Sequence, residues 1–128
     1  MKDLEVKVLK HLKARKWDNL RPVDLAKSIM IEGAELLELF QWQNLSLEEV
    51  KKDKEKMIEI KKELADVMIY CLEMSVLLGL DTKKIVNQKL NLVAKKYPAK
   101  LMKSRKENTG NKEYLRIKKE HRINRVTK

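Results

Sequence analysis

Ile31-Glu32-Gly33-Ala34-Glu35-Leu36-Leu37-Glu38-Leu39-Phe40-Gln41-Trp42 sets acids among apolar residues at helical spacing. Further along, Lys62-Glu63-Leu64-Ala65-Asp66-Val67-Met68-Ile69-Tyr70 does the same. Each stretch carries a carboxylate pair at i, i+3, which puts both acids on one helix face. With about 100° per residue, Glu32 falls between Leu39 and Leu25, and Glu35 at the edge of that arc beside Ser28. Glu63 falls between Tyr70 and Val67, flanked by Asp66 and Glu59. Met30, Ala34 and Leu37 give the first of these helices a second apolar surface. A helix apolar on two sides is either central in its domain or shared with another subunit.

Around these stretches the pattern stays helical. Residues 3–16 read as a helix with Leu4, Val8 and Leu12 on one stripe, interrupted by Trp17-Asp18-Asn19-Leu20-Arg21-Pro22. Pro22 suits the first turn of a helix over about 23–41. Ser46-Leu47-Glu48-Glu49 is a capping box opening a helix that carries Glu63 and runs to Gly79. The alternating charges of residues 51–56 read as a solvated face. Asp81 is an N-cap for a further helix that ends before Pro98. Residues 107–111 read as a break, and 112–126 as either a short basic helix or a disordered segment.

Composition agrees. With 128 residues the chain is of one-domain size, and three Gly and two Pro with few aromatics disfavour a sheet. The single Cys71 excludes an internal disulfide framework and reads as a packed, reduced thiol. The first residues lack the apolar core of a signal peptide and no apolar run would span a bilayer, so a cytoplasmic protein is expected. The net charge of +11 is uneven. Residues 99–128 hold eleven Lys/Arg against three acids, or +8, and residues 1–98 nineteen against sixteen, or +3. A nearly balanced body argues against a nucleic-acid binder throughout, while the tail suits either phosphate contacts or plain solvation.

An ionised carboxylate on an apolar helix face is costly unless it is paired or binds a metal. Two facing pairs would surround one cavity with oxygen, which suits Mg²⁺. Neither His11 nor His121 has the Glu-x-x-His spacing of a di-iron bundle. A Gly-rich phosphate loop and a zinc pattern are both missing. The spacing alone is weak evidence, since roughly two such matches arise by chance in a chain of this composition. Amphipathic helices with acids at the stripe edge, salt-bridged to Lys, explain it as well.

Trp17-Asp18, Pro22, Glu32 through Trp42, Glu63 through Tyr70, and Lys89 through Lys96-Tyr97-Pro98 stand in one order. In that order they resemble the MazG-like all-α nucleoside triphosphate pyrophosphohydrolases, most closely their dCTP pyrophosphatase branch, over residues 4–104. Glu38-Leu39-Phe40-Gln41-Trp42 and Lys96-Tyr97-Pro98 carry the resemblance more specifically than the acid spacing does. It implies an all-α, four- to five-helix bundle over residues 1–104, assembled as a dimer or tetramer, with a basic tail at 105–128. It also implies Mg²⁺-dependent hydrolysis of a nucleoside triphosphate, a pyrimidine deoxynucleotide such as dCTP, to monophosphate and pyrophosphate.

Carried over by position, Glu32, Glu35, Glu63 and Asp66 would hold the metal and do the catalysis, with Glu35 first choice for activating water. Trp17 and Trp42 would sit against the base, and Tyr70, Lys89 and Tyr97 would line the nucleotide site. Lys96 and Lys103 are further candidates for phosphate contacts. Without the resemblance, the same tryptophans and tyrosines read as packing residues and Lys89 as a solvated lysine.

The chain departs from the branch at Val8, where a His is usual, and at Val93, where an Asn is usual. The loop from Trp17 to Pro22 is one residue shorter, with Leu20-Arg21 in place of Phe-His. If both valines line the base and sugar pocket, selectivity should be weaker than in a strict dCTP pyrophosphatase, since an apolar wall discriminates by only about 1–3 kcal/mol. Two other classes stay open: a nucleic-acid-associated helical protein acting through its tail, and an inactive oligomer with the same fold.

Overall fold

The computed structural model describes residues 1–103 and 107–126. Every element among them is helical: α1 (Lys2–Ala14), α2 (Pro22–Glu38), α3 (Leu47–Lys52), α4 (Lys54–Leu77), α5 (Thr82–Lys96), α6 (Ala99–Lys103) and α7 (Glu107–Val126). They fall into two units, Met1–Lys83 and Lys84–Lys128.

In the first unit α4 is the central rod, packed extensively against α2 and also against α1. Leu12, Leu25 and Leu72, one from each helix, are its buried apolar side chains. α1 stops where Lys16 turns to φ 58°, and the Trp17 N–H returns to the Leu12 carbonyl at 2.9 Å. Pro22 starts α2, as expected from its preset φ and missing N–H. The capping box forms: the Glu49 N–H donates to Ser46 Oγ at 3.2 Å, and the Ser46 N–H to Glu49 Oε2 at 3.4 Å.

The helix expected to run unbroken from that box to Gly79 is two helices. Asp53, at φ −84° and ψ 98°, ends α3 and caps α4 by accepting the Lys56 N–H at 3.0 Å. A short Asp side chain offers the backbone this alternative to a continuous helix. Lys56 is not on a solvated face. Half-buried, it donates from Nζ to the Leu39 carbonyl at 2.6 Å and lies 5.7 Å from the centre of the Phe40 ring. It thereby satisfies a carbonyl orphaned at the end of α2. α2 itself ends at Glu38, about a turn earlier than its pattern predicts.

Gly79 ends α4 as expected, at φ 68°, a left-handed turn that costs a glycine little. The Leu80 N–H closes that turn on the Ser75 carbonyl at 2.9 Å. Asp81 directly precedes α5. The first N–H of α5, on Thr82, donates to Glu5 Oε1 from α1 at 2.9 Å, and Thr82 Oγ1 lies 2.6 Å from Ser75 Oγ. These Thr82 contacts hold the Glu5 carboxyl below the ordinary carboxylate range.

In the second unit, α7 begins at Glu107 and passes through Gly110, so the expected break over 107–111 is helix. A glycine inside a helix costs only about 1 kcal/mol, and Arg116 braces the next turns through Glu113 and Glu120, each at 2.8 Å. Ile117 is buried, and Tyr97 stacks on Tyr114 with ring centres 4.9 Å apart. Most of the described part of the basic tail is therefore helical.

One face of α2 stays open in the single chain, with Met30 73% and Leu37 65% exposed. Among the described residues, no helix is long and apolar enough to cross a membrane.

Candidate functional site

α2 and α4 pair antiparallel, because the C-terminal half of α2 meets the N-terminal half of α4 and the reverse holds at their other ends. The pairing brings the two acid pairs together. Glu32 from α2 and Glu63 and Asp66 from α4 each present a carboxylate oxygen within 4.8 Å of the others. The i, i+3 spacing selects the face, and the antiparallel packing turns the two faces toward each other.

Glu32 Oε2 and Glu63 Oε2 are both buried without a hydrogen-bond partner. The Glu63 carboxyl is pushed above its ordinary range, first by burial, then by the adjacent Glu35, and less by Asp66. Three of the four acids named from the sequence therefore meet, with Glu35 beside Glu63. Glu32, Glu63 and Asp66 are half-buried and Glu35 is exposed; the acids repel one another, and Lys62 only partly offsets the repulsion at Glu63. An all-oxygen set of this kind fits a hard divalent cation such as Mg²⁺, which takes one or two carboxylates and keeps waters.

Toward the other end of the same helix pair lies a cavity of about 230 Å³. Trp17 and Leu20 line it from the α1–α2 loop, Asp24, Leu25 and Ser28 from α2, and Tyr70 and Glu73 from α4. Trp17 is half-exposed and meets His11 edge-on, ring centres 6.2 Å apart. Glu73, at 6% exposure, is as buried as a core leucine, and its Oε2 has no partner. Burial raises its pKa, an effect that His11 partly offsets. The sequence reading passed over Glu73. It follows Glu63, Asp66 and Tyr70 at offsets of ten, seven and three residues, on the same helix stripe.

The remaining expected residues are spread more widely. Trp42 is 87% exposed and lines a separate cavity of about 300 Å³ with Glu38, Lys56 and Glu59. A stacking slot made of Trp17 and Trp42 is therefore not formed within one chain. Val8 is half-buried and is not among the residues lining the Trp17 cavity. In the second unit, Lys89, Val93, Lys96 and Tyr97 line a cavity of about 330 Å³ together with His121 and Arg125 from α7. The sequence reading had given those two α7 residues no role. Lys96 Nζ lies 5.2 Å from the centre of the Tyr97 ring, and Lys103 is exposed at the end of α6.

The signature of the MazG-like family matches residues 27–111, which span both acid pairs and the Lys96-Tyr97-Pro98 segment. The crystal structure of a pyrophosphatase from Archaeoglobus fulgidus DSM 4304 superposes with a TM-score of 0.67 at 35% identity. That match covers 77% of this chain and 92% of the other. No curated protein sequence matches. The chain belongs to the MazG-like family.

Proposed function

We propose that this MazG-like chain hydrolyses a nucleoside triphosphate to the monophosphate and pyrophosphate with Mg²⁺, and that a pyrimidine deoxynucleotide such as dCTP is its substrate. The observation that carries this reading is the cluster of Glu32, Glu63 and Asp66, with Glu35 beside Glu63 and two orphaned buried oxygens. The similarity to a pyrophosphatase supports the same class of reaction.

In this reading Glu32, Glu35, Glu63 and Asp66 hold the metal. When bound, Mg²⁺ would neutralise phosphate charge and lower the pKa of a water. Glu35, the most exposed acid of the four, takes the proton of the attacking water. The water oxygen forms the new bond to the α-phosphorus, the bridge to the β-phosphate breaks, and pyrophosphate leaves with the electron pair. Trp17 and Tyr70 hold the base. By the family resemblance, Lys89 and Tyr97 would line the nucleotide site and Lys96 and Lys103 would contact phosphate. The catalytic domain runs over residues 1–104, and house-cleaning of a cytoplasmic nucleotide pool is the role that fits.

The active species in this reading is at least a dimer. Met30, Ala34 and Leu37 form an uncovered apolar strip on the helix that carries two of the acids. Water contact along such a strip is relieved by a second copy, and that copy would also bring Trp42 a partner surface. A monomeric mass by light scattering, at concentrations where substrate turns over, would refute the assembly. For the activity, pyrophosphate release is screened over canonical and modified nucleotides, with and without Mg²⁺. Release that persists in EDTA, or in Glu63→Gln, would refute the metal site.

A further inference from the structure

Glu73 is a carboxyl group placed where the hydrolysis itself gives it nothing to do. It stands seven residues beyond Asp66 on α4, about 10.5 Å along the axis at 1.5 Å per residue. That separation is comparable to the reach from an α-phosphate, across the sugar, to the far edge of a base. The cavity it lines has Trp17 and Tyr70 as aromatic walls and Ser28 and Asp24 as further polar groups. At about 230 Å³ it has room for roughly eight waters at some 30 Å³ each, the scale of one pyrimidine with its exocyclic groups.

A buried carboxyl oxygen without a partner is costly to keep, and a ligand that supplies a donor removes the cost. A cation is a poor occupant here. It is served by crowded carboxylates, as at the other end of the helix pair, whereas this cavity is half apolar and aromatic in its lining.

We propose that Glu73 is a specificity-determining residue: its carboxyl accepts a hydrogen bond from an exocyclic amino or ring N–H on the far edge of a pyrimidine held between Trp17 and Tyr70. This rests on the nucleotide reading above, and it assigns the choice of base to a residue outside the metal cluster.

The experiment measures equilibrium binding of non-hydrolysable α,β-methylene analogues of dCTP, dTTP, dUTP, dATP and dGTP, and of base-free tripolyphosphate. It is run on wild type, Glu73→Gln and Glu73→Leu, with kcat/KM for the natural nucleotides alongside. Glu73→Leu should fold, since it removes an unpaired buried carboxyl. It is expected to cut the ratio between the best and next-best base by at least about tenfold, because a hydrogen-bonding site discriminates far more strongly than an apolar one. Tripolyphosphate binding should stay unchanged. Glu73→Gln, which keeps the acceptor oxygen, should retain most of the selectivity.

An unchanged ratio in Glu73→Leu would overturn the proposal, as would an equal loss for every ligand including tripolyphosphate. Base-selective binding without hydrolysis, with selectivity lost in Glu73→Leu, would end the hydrolase reading and uphold this one. Hydrolysis whose selectivity survives Glu73→Leu would end this one alone. Wild type that binds no nucleotide would overturn both.

Discussion

The α2–α4 pair carries buried carboxylates at two stations, and they differ in number and company. Toward one end Glu32, Glu63 and Asp66 crowd within 4.8 Å of each other, with Glu35 beside them. Toward the other end Glu73 lines a cavity with Trp17, Tyr70, Leu20, Leu25, Ser28 and Asp24. Both stations leave carboxyl oxygens without partners. Crowding makes the first station a sink for positive charge, because each acid raises the cost of ionising its neighbours until a cation enters. Isolation makes the second a hydrogen-bonding point, where one donor suffices. The same residue type on one helix pair thus meets two different environments, and packing decides which.

The sharpest way to break that contrast is at the crowded station. Glu32→Gln or Asp66→Asn should abolish Mg²⁺-dependent pyrophosphate release while circular dichroism still reports full helicity. Groups that only orient metal ligands are worth roughly 10–100-fold, so losing a ligand should exceed about a hundredfold. Near-normal turnover in either variant would dissolve the distinction between the stations.

A second test removes the metal. In EDTA, Glu63→Gln should melt a few degrees above wild type, since one repelling carboxylate is gone. Adding Mg²⁺ at about 100 times its Kd should then stabilise wild type by about 2.7 kcal/mol and the variant much less. Equal melting shifts on Mg²⁺ addition would argue against the cluster as the cation site.

The end of α2 nearest the acids is secured by Lys56 on the Leu39 carbonyl. Lys56→Met keeps much of the apolar stem but loses a charged hydrogen bond, and should cost about 1.5–3 kcal/mol. The loss should appear in urea denaturation midpoints and in weaker Mg²⁺ binding, with base selectivity intact. Loss of selectivity with unaltered Mg²⁺ binding would reverse the expected coupling.

The smallest effect belongs to Glu5, which ties α1 to the first turn of α5. Its folded pKa is lowered, so its contribution is present above the unfolded value of about 4.3 and fades as pH falls through the folded value. The melting difference between wild type and Glu5→Gln should therefore be clear at pH 6 and shrink toward pH 3. A difference that grew on acidification would have the wrong sign.

Local signals were readable where a short run of residues decides its own backbone. Ser46 and Glu49 make their box, Pro22 starts a helix, Gly79 ends one, and the acid pairs at 32 and 35 and at 63 and 66 each lie within one helix. The pattern failed where a distant partner had the last word. Asp53 sits inside a continuous charged run that reads as unbroken helix, and Lys56 looked solvated until the end of α2 came to meet it. Glu107–Asn111 reads as a loop in isolation, yet it is carried into α7 by the helix that follows.

Sequence by itself determined that the chain is helical, which residues share a face, and that two acid pairs occupy apolar stripes. Those properties depend on neighbours within four residues, and the 3.6-residue period encodes them directly. Only the tertiary structure decided that α2 and α4 run antiparallel with their acids opposed. It also decided that Trp17 and Trp42 line separate cavities, and that Glu73 is buried beside an aromatic pocket. Burial and facing are properties of two surfaces brought together, and no single stretch of chain carries them.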